Sequence, residues 1–199
     1  MIKKTIAVLL ICTMLFTVAG CVSNPDVNGN SPEKVLNLCI KAFREMDAEK
    51  LQSHCIDKGN ETTGGSVFGD MPSEEHTELI ELMKLSFGAL KVTDFSNLSV
   101  TGEGDARAAK ASVTIQTYSN SSAGQLYLDS CVRDGLTSPG SGAEMLARWK
   151  TIYESGDVEL VTATADVLFS MRNGAWVVIA DDTFAQLLAG GAANVSQGR

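Results

Sequence analysis

Basic residues are the first scarcity. The 199-residue chain carries 16 Lys and Arg against 24 Asp and Glu, a formal net charge of −8. Nucleic acid is held by clustered cations on its phosphates, so a chain this acidic has no footprint for it. Anionic lipid headgroups would repel it for the same reason. Histidine is nearly missing too, with two in the chain. No C-x-x-C and no Cys/His spacing suggests zinc, so neither a metal nor a cofactor is expected. Long apolar runs are lacking beyond residue 16. Ile6 to Phe16, broken by Thr13, is the longest, and it is too short for a comfortable membrane span.

That run has a clear context. Lys3 and Lys4 precede it, and the small residues Val18-Ala19-Gly20 close it before Cys21, which is the order of a secretory signal. Val-Ala-Gly-Cys closely resembles the lipobox of prokaryotic lipoproteins. The resemblance implies a diacylglyceryl group on the Cys21 thiol, cleavage after Gly20, and a mature chain anchored on the extracytoplasmic side of a cell membrane or outer membrane. Acyl chains hold by about 0.8 kcal/mol per buried methylene, so two or more make a stable anchor. The rival reading is an ordinary cleaved signal whose cysteine is incidental. Residues 22–30 are turn and linker chemistry and read as a tether.

With Cys12 in the leader and Cys21 lipidated, Cys39, Cys55 and Cys131 remain. Three cysteines outside the cytoplasm permit at most one internal disulfide. Cys39 and Cys55 lie equally far from Asp47, where the first helical segment breaks, and a tight hairpin there would bring them face to face. Two readings stay open: a Cys39–Cys55 disulfide, or buried thiols packing as small hydrophobes.

Residues 31–188 are expected to form a single domain, enough for one core and short for two. Asn30 or Ser31 caps a first helix with Pro32 in its opening turn and an apolar stripe of Val35, Leu36, Cys39, Ile40, Phe43 and Met46. Asp47 caps a second helix, Ala48 to Cys55. Lys58 to Pro72 reads as a loop, and Ser73 to Phe87 as a third helix. Strands are expected over 91–100, 108–118 and 161–171, the latter two alternating cleanly between apolar and polar residues. Asn173-Gly174 then makes a primed two-residue turn into 176–180. The long segment between strands, 119–156, is expected to hold one helix, Ala143 to Tyr153. Asp182 is expected to cap a last short helix, and 189–199 to be a frayed tail.

Helices followed by an antiparallel sheet with one apolar face make an α+β layer arrangement. Ser31-Pro32-Glu33-Lys34-Val35, running on to Ala42-Phe43-Arg44-Glu45-Met46-Asp47, resembles the opening of small exported lipoproteins with a nuclear transport factor two-like domain. The ending, Asn173-Gly174-Ala175-Trp176-Val177-Val178, resembles that family's final hairpin. The likeness covers about residues 31–118 and 157–182 and departs over the helical insertion at 119–156. It implies a cone, in which helices close over a strongly curved antiparallel sheet and leave a pocket. The family holds enzymes, binders and interaction modules alike, so fold alone does not choose among them.

Within such a cone the apolar strand faces would line the pocket: Phe43, Ala111, Val113, Ile115, Ala165, Val167, Phe169 and Trp176. Family enzymes such as ketosteroid isomerase need an inward carboxylate base. Here Asp166 falls on the opposite face, and Phe43 stands where an isomerase would want a phenol or carboxyl. Titratable candidates survive at the edges: His76, Tyr118, Tyr127, Tyr153, Asp181 and Asp182. The expected function is therefore a membrane-anchored, non-enzymatic binding domain for a small hydrophobic ligand or a partner's side chains. The alternative is a protein–protein interaction module, including a homodimer through the outer sheet face. A small isomerase- or hydrolase-like enzyme ranks third.

Overall fold

The computed structural model describes residues 31–58, 77–136 and 141–190. The leader, Cys21, the tether, most of the 58–72 loop, His76 and residues 191–199 lie outside those ranges. The described residues form an α+β domain whose five-stranded sheet does not close on itself.

Helix α1 spans Pro32–Glu45. The Ser31 hydroxyl accepts from the Lys34 N–H at 3.2 Å, and Pro32 opens the helix, where its missing N–H costs nothing. Met46 ends it in a left-handed conformation (φ 53°). Asp47 then caps α2, Ala48–His54, by accepting from the Lys50 N–H at 3.0 Å. The carboxyl is held below its usual range, first by Lys50's hydrogen bonds.

At Cys55 the chain leaves the helix for a three-residue strand, β1, Cys55–Asp57. This strand was not expected, and it changes the sheet. β1 pairs parallel with β5, Ala175–Ala180, so the sheet is mixed and not wholly antiparallel. Three residues after a helix carry no periodicity to read, and their partner lies more than a hundred residues on.

Helix α3 spans Thr77–Ser86, inside its expected range. β2 (Lys91–Thr101), β3 (Ala108–Tyr118) and β4 (Leu160–Arg172) follow, giving the sheet order β1-β5-β4-β3-β2. β3 and β4 pair antiparallel without interruption from Ala108↔Ser170 to Tyr118↔Leu160. Edge strand β2 is broken twice in register, and Asn97 there is left-handed (φ 54°). Such irregularity discourages pairing with another chain. Asn173 and Gly174 both have positive φ (48° and 75°), as the two-residue hairpin requires.

The segment between β3 and β4 holds two helices, not one. α4 spans Asn120–Arg133 and α5 spans Gly142–Ser155. Ser119 caps α4 by accepting from the Ser122 N–H at 3.1 Å. Ser141 and Glu144 form a reciprocal capping box on α5. The last helix, α6, is Asp182–Leu188, and its cap is Asp181, not Asp182: Asp181 Oδ1 accepts from the Phe184 N–H at 2.9 Å.

The core lies between α1 and the sheet. Val35, Leu36, Cys39, Phe43, Ala111, Val113, Ile115, Val167, Phe169, Trp176, Val178 and Phe184 belong to one buried cluster. A smaller apolar cluster, Ile56, Val177 and Ile179, sits on the opposite face of β1 and β5. Around the middle of β3 and β4 that opposite face is polar, with Lys110 and Asp166 at 2.7 Å and the Thr114 and Thr164 hydroxyls at 2.8 Å.

Candidate functional site: a half-open apolar rim

The inward face of the sheet is not buried evenly. Val113 and Ile115 on β3 are fully buried. Phe95 stands opposite Val113 on β2, and Val92 opposite Ile115. Ala165 and Ala163 stand opposite the same two residues on β4. Paired residues share a face, so these four side chains project with the core. Yet all four are only half-buried, as is Phe87 just beyond α3. Phe87, Val92 and Phe95 form an apolar rim along the β2 edge of the core, while Ala163 and Ala165 lie apart on β4, across the fully buried β3 pair. Phe95 packs edge-on to Phe169 (centroids 6.1 Å apart), and Phe87 tilts against Phe43 at 5.9 Å. The rim is therefore continuous with the buried cluster beneath.

Helix α3 runs into this rim and is itself loosely covered. Its apolar residues Leu79, Ile80, Leu82, Met83 and Leu85 are half-buried, none fully. Between α3 and α5 lies a groove of about 380 Å³ lined by Glu78, Glu81, Ala143, Leu146, Ala147 and Lys150. Lys150 Nζ meets Glu81 Oε2 at 2.7 Å across it. The hydrogen bond and charge of Lys150 hold the Glu81 carboxyl below its ordinary range, and Glu81 raises the lysine in return. Both ends of this pair are substantially exposed, so it orients the helices and adds little to stability.

The residues expected to line a pocket take two positions. Phe43, Ala111, Val113, Ile115, Val167, Phe169 and Trp176 are packed in the core cluster, and Ala165 is partly buried against it on β4. The rim residues Phe87, Val92 and Phe95 escaped the sequence reading. Alternation shows which face a residue takes, not how far a sheet extends past its covering helix.

The titratable candidates do not converge. Tyr118 and Tyr153 pack together at 5.5 Å, and burial raises Tyr153 above the usual phenol range. Tyr127 stacks on Trp149 at 4.6 Å. Its hydroxyl is buried without a well-formed hydrogen bond, beside the Cys131 thiol, and desolvation pushes it up. Nearby, Arg148 donates to Ser130 Oγ (2.9 Å) and Asp134 Oδ2 (2.7 Å), pinning α4 to α5. Asp181 is spent on its cap, 3.9 Å from Lys58, and Asp182 is exposed in the first turn of α6. Among the described residues no group of three or more His, Cys, Asp or Glu is placed to hold a metal ion. None of their helices is long and apolar enough to cross a membrane. Cys39 and Cys55 are free thiols, both fully buried.

A further exposed feature follows from α4. Leu128 and Val132 lie one turn apart on α4 and are 58 % and 79 % exposed, and Leu136, beyond the helix end, is 42 % exposed. No protein-family model, curated protein or solved structure matches the chain at a significant level.

Proposed function

We propose that this chain is a lipoprotein held on the outer side of a membrane by Cys21, with a domain that binds an apolar ligand at the rim beside α3. The domain is read as a cone of the nuclear transport factor two-like kind, with the strongly curved sheet as its wall. The observation that supports the binding role is the partial exposure of Phe87, Val92 and Phe95 at the β2 edge on the core side of the sheet. Apolar surface left uncovered on a core face is where a ligand gains most from burial. The groove between α3 and α5, with its Glu81–Lys150 pair, shares no lining residue with the rim and is not part of the proposed site.

The test is Phe95→Asp. A carboxylate at the rim would have to be desolvated by an apolar ligand, so affinity for a copurified ligand is expected to fall about 10- to 100-fold. Because Phe95 is only partly buried, at the sheet edge, the fold should survive, with an unchanged circular dichroism spectrum. Undiminished ligand retention by a folded Phe95→Asp protein contradicts the rim as the site.

The interaction-module reading draws on a different feature, the exposed Leu128 and Val132 pair on α4. Leu128→Asp with Val132→Asp separates the two: it spares ligand retention at the rim and ends association through α4. The outer face of β3 and β4 is less suited to a homodimer, because its centre is an exposed ion pair and a threonine ladder.

A further inference from the structure

Two cysteines are brought together by the one strand pairing that sequence periodicity does not reveal. α1 packs over β5. β1 runs parallel beside β5 with Cys55 in register with Val178. Val178 belongs to the cluster beneath α1, so Cys55 projects from the face that α1 covers. Cys39 lies on the buried stripe of α1, between Leu36 and Phe43, in the same cluster. The two thiols thus belong to one cluster, facing each other between α1 and β1, and neither residue has any exposed surface.

We infer that Cys39 and Cys55 become an intramolecular disulfide when the chain folds outside the cytoplasm, tying α1 to β1. The inference rests on the export reading of residues 1–21 and is separate from ligand binding. Disulfides form and persist in oxidising compartments. The oxidant is a thiol–disulfide oxidoreductase in its disulfide form. One cysteine thiolate attacks that disulfide to give a mixed disulfide, and the second cysteine displaces the oxidant. The two thiols lose two protons and two electrons, one S–S bond forms in the chain, and the oxidant leaves as a dithiol.

Burial dictates when this happens. In the folded domain no reagent reaches either sulfur, and desolvation raises the Cys39 thiol well above its ordinary value, keeping thiolate scarce. Oxidation therefore precedes the closing of α1 over β5, and the state set then is kept. Cys131, on α4 and partly exposed, is left as the odd thiol.

The test uses the full chain with its own leader, produced in a bacterial envelope, quenched in acid, and alkylated with N-ethylmaleimide under denaturing, non-reducing conditions. After trypsin, Val35–Lys41 and Leu51–Lys58 are expected as one cross-linked species that separates on reduction, with the maleimide on Cys131. Separate peptides each carrying a maleimide overturn the inference, whatever the state of Cys21. A cross-link in a chain whose Cys21 peptide carries no lipid instead upholds the disulfide and fails the anchor. As a second readout, unfolding and refolding in reductant, which exposes both sulfurs, should lower the unfolding midpoint of the wild type by about 6–12 °C, from a closed loop of about 15 residues. It should leave Cys39→Ala unmoved. An equal midpoint with and without reductant in the wild type counts against the bond.

Discussion

Replacing Cys21 with serine is expected to move the protein from the membrane fraction to the soluble one, with the folded domain intact. A serine hydroxyl cannot become the thioether that carries the diacylglyceryl group. Each acyl methylene contributes about 0.8 kcal/mol to attachment, so losing the chains removes an anchor of many kcal/mol. Nothing in the domain substitutes for it. The net charge of −8 includes Lys3 and Lys4, and the chain without them is more acidic still. The described residues also include no spanning helix. Fractionation of an exported wild type and Cys21→Ser, with detergent extraction as the control, reads the effect directly. Wild-type protein that stays soluble, or a serine variant that stays in the membrane fraction, removes the anchor reading.

The second large effect is on stability. Trp176→Ala is expected to cost about 3–5 kcal/mol, a drop in unfolding midpoint of about 6–20 °C. Trp176 is 1 % exposed and sits in the central cluster, opposite Met171 on the hairpin that closes the sheet. The Arg107 guanidinium lies over its ring, 5.2 Å from the centroid, so truncation removes a cation–π contact along with the buried area. Typical domains have 5–15 kcal/mol in all, so this one side chain carries a large share. Leu128→Ala is the matched control. Its side chain is 58 % exposed on α4, and its removal should change stability by no more than about 0.5 kcal/mol. Thermal melts of the two variants beside wild type decide it, and equal losses would contradict this placement of the core.

The same burial determines which variants can test binding. Val113→Asp and Phe169→Asp would place a carboxylate among fully buried neighbours, and uncompensated burial of charge unfolds the domain before any ligand is involved. Phe95 and Val92 are only partly buried, so substitutions there test the proposed binding with less disturbance of the fold.

Much of the architecture was legible because it is written at short range. Alternation in Ala108–Tyr118 and Leu160–Arg172, the Asn173-Gly174 turn, and the Ser31 and Asp47 caps each depend on a few neighbouring residues. What escaped depends on distant partners or on weak local signals. β1 is a strand because β5 offers it a parallel edge. α4 begins Asn-Ser-Ser-Ala-Gly, in which every residue but Ala123 is a weak helix former, and buries only Ala123 and Ser130 while exposing Leu128 and Val132. Its amphipathic stripe is accordingly blurred. The Asp181 and Asp182 caps differ by one residue, and only backbone geometry separates them. For the site, sequence identified the apolar face but not the place where α1 ceases to cover it.

Binding at the rim is tested most directly by native mass spectrometry of residues 31–199, exported behind a cleavable non-lipid signal and purified without detergent. The expected spectrum shows the domain with a bound apolar species that leaves on denaturation and is lost from Phe95→Asp. A bare mass, for a folded protein taken directly from the envelope, contradicts the binding-domain reading and turns attention to the exposed pair on α4.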